Sequence, residues 1–254
     1  MRTEKSRCKE MNGLRILGLD TSGKVASCAI LDTEAGILLG ERSVYTTRTH
    51  SQTMLPMCIS LLGECGMTEA DVDCYAVSVG PGSYTGIRIG LAAVQGMAMV
   101  RDVPCIGVST LEAMASRIFP ARHILSVMHA RSDLFYSAWF SYQIYMDYDP
   151  RHLERQTPDE LHTASEIMEM IGRIGEGIVL TGDGTEELLR LYKESHESAA
   201  LLRPVPPMLR LQSAAGVCQC AAQFADTHTE LPHAADLTAS YLQAVNISKR
   251  KSER

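Results

Sequence analysis

A stretch almost free of charge organises the hydrophobic pattern of the chain. Residues 75–79 form a short apolar run that ends in the Gly-Pro-Gly turn at 80–82, and residues 89–100 beyond it contain no charged side chain. A short apolar run closed by glycine and proline is typical of a buried strand. A helix that is apolar on every face must be covered on every face. The pattern therefore predicts a buried strand, a tight turn, and an enclosed helix over residues 85–100.

Small residues mark one face of this predicted helix. Gly86, Gly90 and Ala93 fall at positions i, i+4 and i+7. A glycine inside a helix costs about 1 kcal/mol relative to alanine, and close approach of another backbone is the usual reason to keep one. Two interpretations follow, namely packing within the chain or contact with a helix of another chain. A membrane-spanning helix is excluded, because it needs roughly 20 apolar residues.

The order of the remaining patterns indicates two similar α/β subdomains. Three strands are followed by a helix, a strand, the central helix and another strand, and a looser second round comes after them. We predict strands at 15–20, 25–31, 37–46, 75–79, 105–108, 123–129, 134–144, 177–180 and 201–202, and helices at 51–65, 85–100, 110–117, 165–174, 185–194 and 212–225. The polar segment 146–161 is predicted to be a surface excursion.

These elements divide the chain into four parts. Residues 1–11 are predicted to be a disordered extension, and residues 12–109 the first subdomain. Residues 110–232 form the second subdomain, whose last helix is expected to pack back on the first. Residues 233–254 form a tail with a disordered basic end.

Composition narrows the class of protein. The chain has 254 residues, 45% of them hydrophobic, and a formal net charge of −6, which disfavours a protein that grips nucleic acid alone. The first ten residues are charged throughout, so we predict no signal peptide and a cytoplasmic protein without membrane contact. Eight cysteines without a C-x-x-C pair are expected to be reduced and buried.

Several segments, taken together, resemble the bacterial TsaB (YeaZ) family. The resemblance is strong from Leu14 to Ala115 and weaker beyond. Its motifs are Ile16–Ser22 (ILGLDTS), His50–Ser51 with Leu55–Pro56, Gly80–Leu91 (GPGSYTGIRIGL), Pro104–Ala113 (PCIGVSTLEA) and Leu180–Gly184 (LTGDG). The resemblance implies the actin-like ATPase fold, also called the acetate/sugar kinase–Hsp70–actin fold, with two βββαβα-type subdomains of which the second is degenerate.

The resemblance also implies a role. TsaB proteins take part in making threonylcarbamoyladenosine at position 37 of tRNAs that read ANN codons. The TsaB subunit binds the related catalytic protein TsaD, and an ATPase, TsaE, docks on the pair. On this basis we expect this chain to be a non-catalytic scaffold that meets tRNA only through the complex.

The residues at the metal-binding position support that expectation. TsaD-type proteins carry H-x-E-x-H, in which two imidazoles at i and i+4 share one helix face. This chain has Thr110, Glu112 and Met114 at the corresponding positions. Neither Thr110 nor Met114 is a good ligand for a hard or borderline divalent ion. We therefore predict no metal site and no catalytic residue.

A nucleotide site is a separate hypothesis. The turn Asp20–Gly23 stands at the first phosphate loop of the fold, where backbone N–H groups and hydroxyls face a phosphate. The candidate nucleotide-binding residues are Asp20, Thr21, Ser22, Gly182, Asp183 and Gly184. We expect no resident cofactor, and the candidate ligand is ATP or ADP at the seam between subunits. Arg88 lies in the central helix and is expected to pair with an internal acid such as Asp20; the alternative is that it reaches a carboxylate of a partner.

Partner binding is assigned to an apolar face of the two helices at 51–65 and 85–100. Large exposed apolar areas are unusual in monomers, so we predict a homodimer in isolation and a four-helix contact with TsaD in the complex. The predicted interface residues are His50, Met54, Leu55, Cys58, Leu61, Gly86, Ile87, Gly90, Ala93, Val94 and Met97.

Three alternatives remain. The first is a self-sufficient ATPase or kinase-like enzyme of the same fold. The second is a peptidase of the M22 glycoprotease type, which is disfavoured because metal ligands and any Ser–His or Cys–His arrangement are missing from the sequence pattern. The third is a purely structural, self-associating protein.

Overall fold

The computed structural model describes residues 13–45, 50–118, 120–142, 152–196 and 199–242. The predicted extension 1–11, residues 146–151 of the polar segment 146–161, and the basic end from 243 onward lie outside these residues. Within them the chain forms two β-sheets and six helices in an α/β arrangement.

The strands and helices follow the predicted order, and most bounds agree within two residues. The strands are β1 (Arg15–Asp20), β2 (Val25–Asp32), β3 (Ile37–Tyr45), β4 (Cys74–Gly80), β5 (Cys105–Ser109), β6 (Ile124–Arg131), β7 (Leu134–Tyr142), β8 (Leu153–Arg155), β9 (Glu160–Thr163), β10 (Ile178–Thr181) and β11 (Leu202–Pro204). The helices are α1 (His50–Glu64), α2 (Tyr84–Met99), α3 (Thr110–Ser116), α4 (Ala164–Ile174), α5 (Thr185–Ser195) and α6 (Ala214–Thr227).

The two sheets share one topology. The first has the strand order β3-β2-β1-β4-β5, in which β2 pairs antiparallel with β1 and β3 while β4 and β5 run parallel to β1. The second has the order β11-β10-β6-β7-β8, with β9 also paired to β7. Read from the other edge, it repeats the first sheet strand for strand. This duplicated βββαβα topology is the actin-like ATPase fold.

Two helices, α3 and α6, pack between the two sheets. α3 follows the first sheet but packs on the second, where Leu111 and Met114 join the core of β6 and β7. α6 follows the second sheet but packs on β1 and β2 of the first, through Val217 and Cys218. α3 and α6 also contact each other. The molecule is therefore layered as α1 and α2, first sheet, α6 and α3, second sheet, α4 and α5.

Two segments differ from the simple sequence prediction. Part of the predicted surface excursion is ordered sheet, because β8 and the start of β9 pair with β7. Residues 233–242 of the predicted tail return to the first subdomain, where Leu237 is buried against α2 and the Ser240 amide donates to the Val79 carbonyl at 2.8 Å. Gln95 of α2 holds the same segment by donating to the Ala234 carbonyl at 3.1 Å.

Local chemistry explains where the helices begin and end. The Ser83 hydroxyl accepts from the Gly86 amide at the start of α2, and the Ser109 hydroxyl accepts from the Glu112 amide at the start of α3. α4 begins with a capping box between Thr163 and Glu166 and stops at Gly175, whose φ is +66°. None of the helices in the described ranges is both long and apolar enough to cross a membrane.

The contact between α3 and α6 gives a test of this layering. A methyl group at Gly216 of α6 would overlap the Ala113 carbonyl oxygen of α3. We expect Gly216→Ala to lower the free energy of unfolding by about 1–3 kcal/mol, as overpacking does. Gly172→Ala in α4 is the control, since a methyl group there has nothing within 4 Å; it should be neutral or slightly stabilising. Urea unfolding midpoints measure both, and equal midpoints for the two variants would contradict the arrangement.

Candidate functional site

The turn between β1 and β2 is built around a buried carboxylate. Asp20 Oδ1 accepts from the Ser22 amide at 2.9 Å and from the Ser22 hydroxyl at 2.6 Å. Its Oδ2 accepts from the Ser78 hydroxyl of β4 at 2.6 Å. Burial raises the pKa of Asp20 above its usual range, although the bonds from Ser22 and Ser78 act in the opposite direction. Asp20 therefore joins the turn to the neighbouring strand.

The same turn is packed against the start of α2. The Thr21 hydroxyl donates to the Gly86 carbonyl at 2.7 Å, and the Ser83 amide donates to the Ser22 carbonyl at 2.7 Å. A methyl group at Gly86 would overlap the Thr21 carbonyl oxygen, and one at Gly90 would press on the Thr21 hydroxyl. Gly86 and Gly90 thus allow α2 to pack closely against the turn between β1 and β2.

The second predicted loop, Gly182–Gly184, meets this turn across one glutamine. Gln212 Nε2 donates to the Asp183 carboxylate at 3.0 Å, and the same amide occupies the space beside Gly23. Gly182 has a φ of +101° and lies on the Val127 backbone of β6. The structure therefore brings the two candidate nucleotide segments together at the cleft between the subdomains.

The cleft beside Gln212 is open but chemically mixed. It has a volume of about 450 Å³. Its lining combines cations and acids with apolar groups, namely Lys24, Tyr45, His129, Asp183, Glu186, Pro207, Arg210 and Leu211. Arg210 donates to the Val205 carbonyl at 2.6 Å and lies 3.7 Å from Glu186. Arg210 and Glu186 thus form an ion pair within the cleft.

The carboxylates needed for a metal–nucleotide complex do not converge here. Asp20 is enclosed and bonded to Ser22 and Ser78, and Asp183 is bonded to Gln212. Across the described ranges no group of three His, Cys, Asp or Glu side chains could hold a metal ion. The donor set therefore does not fit the magnesium-assisted phosphoryl transfer of related folds.

The positions of the H-x-E-x-H motif have a structural role. Thr110 and Met114 are buried. Glu112 accepts from Arg155 at 2.6 Å, and Arg155 also donates to Asp159 at 2.6 Å while lying over the Phe140 ring. The single acid of this motif is therefore tied to an arginine that braces β8.

One Ser–His arrangement, which the sequence prediction missed, joins β7 to β9. The Ser137 hydroxyl lies 2.9 Å from His162 Nδ1, and His162 Nε2 lies 3.4 Å from Glu160. Ser137 is only 1% exposed, so a substrate cannot reach its hydroxyl. The prediction that the chain has no Ser–His pair is therefore wrong. The pair links two strands, and its serine lacks the access that a catalytic serine needs.

Most residues predicted to contact a partner are buried in the first subdomain. The core between the sheet and the two helices encloses Met54, Cys58, Leu61, Gly86, Ile87, Gly90 and Val94. The prediction that these residues lie on a surface is wrong. The apolar side of each helix packs on the first sheet, and Gly86 and Gly90 lie against Thr21. Leu55 is 44% exposed, and His50, Ala93 and Met97 are partly exposed. His50 Nε2 donates to the Gly23 carbonyl at 2.9 Å.

The outer sides of α1 and α2 form a different face, which we name the α1–α2 face. Both helices lie on the same side of the first sheet and contact each other. The exposed residues at helical spacing are Leu55, Pro56, Ile59 and Gly63 of α1 and Arg88, Ala92, Gly96 and Met99 of α2. Ile59 is 60% exposed and Met99 is 78% exposed. This face is mainly apolar, includes the small residues Gly63, Ala92 and Gly96, and is not covered by the described chain.

Arg88 differs most from its predicted role. It does not pair with Asp20. Its Nε donates to the Tyr241 hydroxyl at 3.0 Å, and its guanidinium lies 4.0 Å from the centre of the Tyr84 ring. The spacing of Tyr84 and Arg88 at i and i+4 could have indicated their contact. Tyr241 could not have been found this way, because it is 153 residues away from Arg88.

The chain is similar to known proteins in sequence and in structure. The chain is 30% identical over 176 residues to the tRNA threonylcarbamoyladenosine biosynthesis protein TsaB of Bacillus subtilis, which covers 68% of this chain and 72% of that protein. It is 36% identical over 129 residues to the TsaB protein of Haemophilus influenzae, 50% of this chain and 53% of that protein. With TsaB of Escherichia coli the aligned part is 55% of the relative's length.

A family model and a solved structure agree with these relatives. The family model described as TsaD, tRNA N6-adenosine threonylcarbamoyltransferase, matches residues 44–147. The structure of YeaZ from Pseudomonas aeruginosa superposes with a TM-score of 0.69 at 26% identity, covering 90% of this chain and all of that one. The similarity in structure therefore extends through both subdomains.

The buried carboxylate gives a pH-dependent prediction. The folded-state pKa of Asp20 is raised above the ordinary 3.8, so the contribution of Asp20 to stability is greatest below that pH and declines as pH rises towards the folded-state pKa. Asparagine does not titrate. We expect the unfolding midpoint of Asp20→Asn, relative to the unchanged chain, to be higher at pH 7 than at pH 4.

A second variant should change the pH dependence of stability in the opposite direction. Ser78→Ala removes a donor that lowers the pKa of Asp20, so its stability should fall more steeply between pH 4 and pH 7 than that of the unchanged chain. Urea unfolding at both pH values measures each difference. Identical pH profiles for all three proteins would contradict a raised pKa at Asp20.

Proposed function

The chain belongs to the TsaB family, and on that premise we propose that it is a non-catalytic subunit in the synthesis of threonylcarbamoyladenosine on tRNA. In this proposal it binds a TsaD-type catalytic subunit, which transfers the threonylcarbamoyl group to adenosine 37 of ANN-decoding tRNAs. A TsaE-type ATPase docks on the pair, tRNA is contacted through the complex, and the site of action is the cytoplasm. Any ATP or ADP would belong to the seam between subunits.

The observation that carries the proposal is the glycine content of the α1–α2 face. Gly63 and Gly96 lie on this face, and a methyl group at either would meet nothing within 4 Å. A helix glycine costs about 1 kcal/mol relative to alanine, and the described chain offers no internal reason for either one. Gly172 of α4 also has open space, but Gly63 and Gly96 share one exposed apolar face, where a partner helix could approach both closely.

The apolar side chains of the same face support a protein partner. Ile59 and Met99 are more than half exposed and share the surface with Leu55 and Ala92. Exposed apolar patches of this kind mark interaction sites in soluble proteins. The two outward sides lie next to each other, so a pair of helices from the partner would complete a four-helix contact. A second copy of this chain would cover the same face when the catalytic subunit is absent.

The chemistry of the two loops supports a subunit without its own transfer activity. Asp20 is used to hold Ser22 and Ser78, Gln212 closes the turn at Gly23, and Glu112 is paired with Arg155. An isolated ATPase would need these acids free and converging on a metal–phosphate complex. The ATPase and peptidase alternatives are therefore less favoured. The ATPase and the purely structural alternatives each have a distinct outcome below.

The direct experiment combines binding and activity. We expect threonylcarbamoyl transfer to an ANN-decoding tRNA by the TsaD-type and TsaE-type proteins to depend on this chain. Gly96→Leu should fold normally, because its side chain has open space, and should weaken binding of the TsaD-type subunit by about tenfold or more through steric exclusion. Transfer should fall in parallel at subsaturating concentrations.

Gly172→Leu is the matched control, because Gly172 is also an exposed helix glycine with open space. It should leave binding and transfer unchanged. Light scattering should show a dimer of the unchanged chain and a monomer of Gly96→Leu. Transfer that proceeds equally without the chain would contradict the proposal, and robust nucleotide turnover by the chain alone would favour the ATPase. Self-association without binding to the TsaD-type subunit would favour the purely structural alternative.

A further inference from the structure

Two tyrosines and an arginine form an exposed cluster at the start of α2. The Tyr84 and Tyr241 rings lie 5.0 Å apart, and each residue is 40% exposed. Arg88 lies 4.0 Å from the centre of Tyr84 and donates from Nε to the Tyr241 hydroxyl at 3.0 Å. The cluster thus ties the returning segment 233–242 to α2 and holds the guanidinium over the Tyr84 ring.

Arg88 itself remains exposed. Tyr241 and Tyr84 contact its guanidinium, and neither is a carboxylate, so the planar group can still bind one as a fork with two parallel hydrogen bonds. In the described ranges no carboxylate lies within 4.0 Å of Arg88, unlike Arg42 with Glu64 or Arg190 with Glu187. Because stacking on an aromatic ring pre-organises an arginine, less conformational entropy is lost when the fork binds.

The position of Arg88 connects the cluster to the α1–α2 face. Arg88, Ala92, Gly96 and Met99 follow one another at helical spacing on the exposed side of α2. The cluster therefore forms the polar and aromatic end of the apolar face. Tyrosine and arginine are the residue types that most often dominate binding energy at such places.

We propose that Arg88, braced by Tyr84 and Tyr241, binds a carboxylate side chain of the catalytic partner subunit at the end of the α1–α2 face. This inference rests on the proposed function and names the chemistry of one contact within it. A carboxylate fits better than a phosphate, because the contacts of this cluster contain one cation only. Phosphate and nucleic-acid sites usually combine several basic groups.

The experiment measures the dissociation constant of the TsaD-type subunit for variants of Arg88. We expect Arg88→Gln to weaken binding by about tenfold or more, as loss of a charge-assisted pair does. Arg88→Lys should be intermediate, because it keeps the charge and loses the fork. Arg88→Glu should bind more weakly than Arg88→Gln at low salt, because the two carboxylates repel each other. The difference in affinity should shrink at high salt, because salt screens this repulsion.

Two further variants separate charge from structure. Tyr241→Phe keeps the ring and removes the acceptor of Arg88 Nε, so it should weaken binding less than Arg88→Gln. Arg173→Gln, at an exposed position of α4, is the charge-matched control and should bind like the unchanged chain. Unchanged circular dichroism and melting temperature establish that each variant is folded.

The outcomes distinguish this inference from the function on which it rests. If Gly96→Leu weakens binding and Arg88→Gln does not, the carboxylate contact is overturned and the proposed partner stands. Equal loss for Arg88→Gln and Arg88→Glu at every salt concentration would also overturn it, because the role would then be steric. A loss that appears only when ADP or tRNA is added would assign the fork to a phosphate and overturn the proposal. Absence of any binding by the unchanged chain would remove both.

Discussion

The contact between the β1–β2 turn and the first turn of α2 is the constraint from which the rest of the first subdomain follows. The Thr21 hydroxyl donates to the Gly86 carbonyl, and the Ser22 carbonyl accepts from the Ser83 amide. Asp20 joins the turn to β4. Only glycine allows α2 to lie this close to the turn. The position of α2 then sets the direction of its outer side, and with it the α1–α2 face.

In the proposed function, this contact gives the first turn of the fold a structural role. In enzymes of such folds the first turn presents its amides and hydroxyls to a phosphate. Here the Thr21 hydroxyl and the Ser22 amide and hydroxyl are bonded within the chain, and Gln212 fills the space beside Gly23. The duplicated topology is retained, and the exposed apolar face lies on α1 and α2. Fold and site are separable in this molecule.

The fold could be predicted from the sequence because strand order and period are local signals. The apolar runs, the capping serines and the glycine stops gave nearly every element within two residues of its bounds. The site could be predicted only in part. The two helices were identified, but spacing alone does not tell which side of a wholly apolar helix meets the sheet, so Gly86 and Gly90 were assigned to the wrong neighbour. Contacts between distant residues, such as Arg88 with Tyr241 or Gln212 with Asp183, leave no local pattern.

The packing of α6 on the first sheet has a consequence for how the molecule comes apart. One side of the first sheet is covered by α6, which follows the second sheet in the chain. Cutting the chain between β5 and α3 would therefore expose the apolar side of the first sheet on one fragment and the apolar side of α6 on the other. The two lobes should therefore melt as a single cooperative unit, and amides in the central strands of both sheets should exchange with solvent with one common free energy of opening.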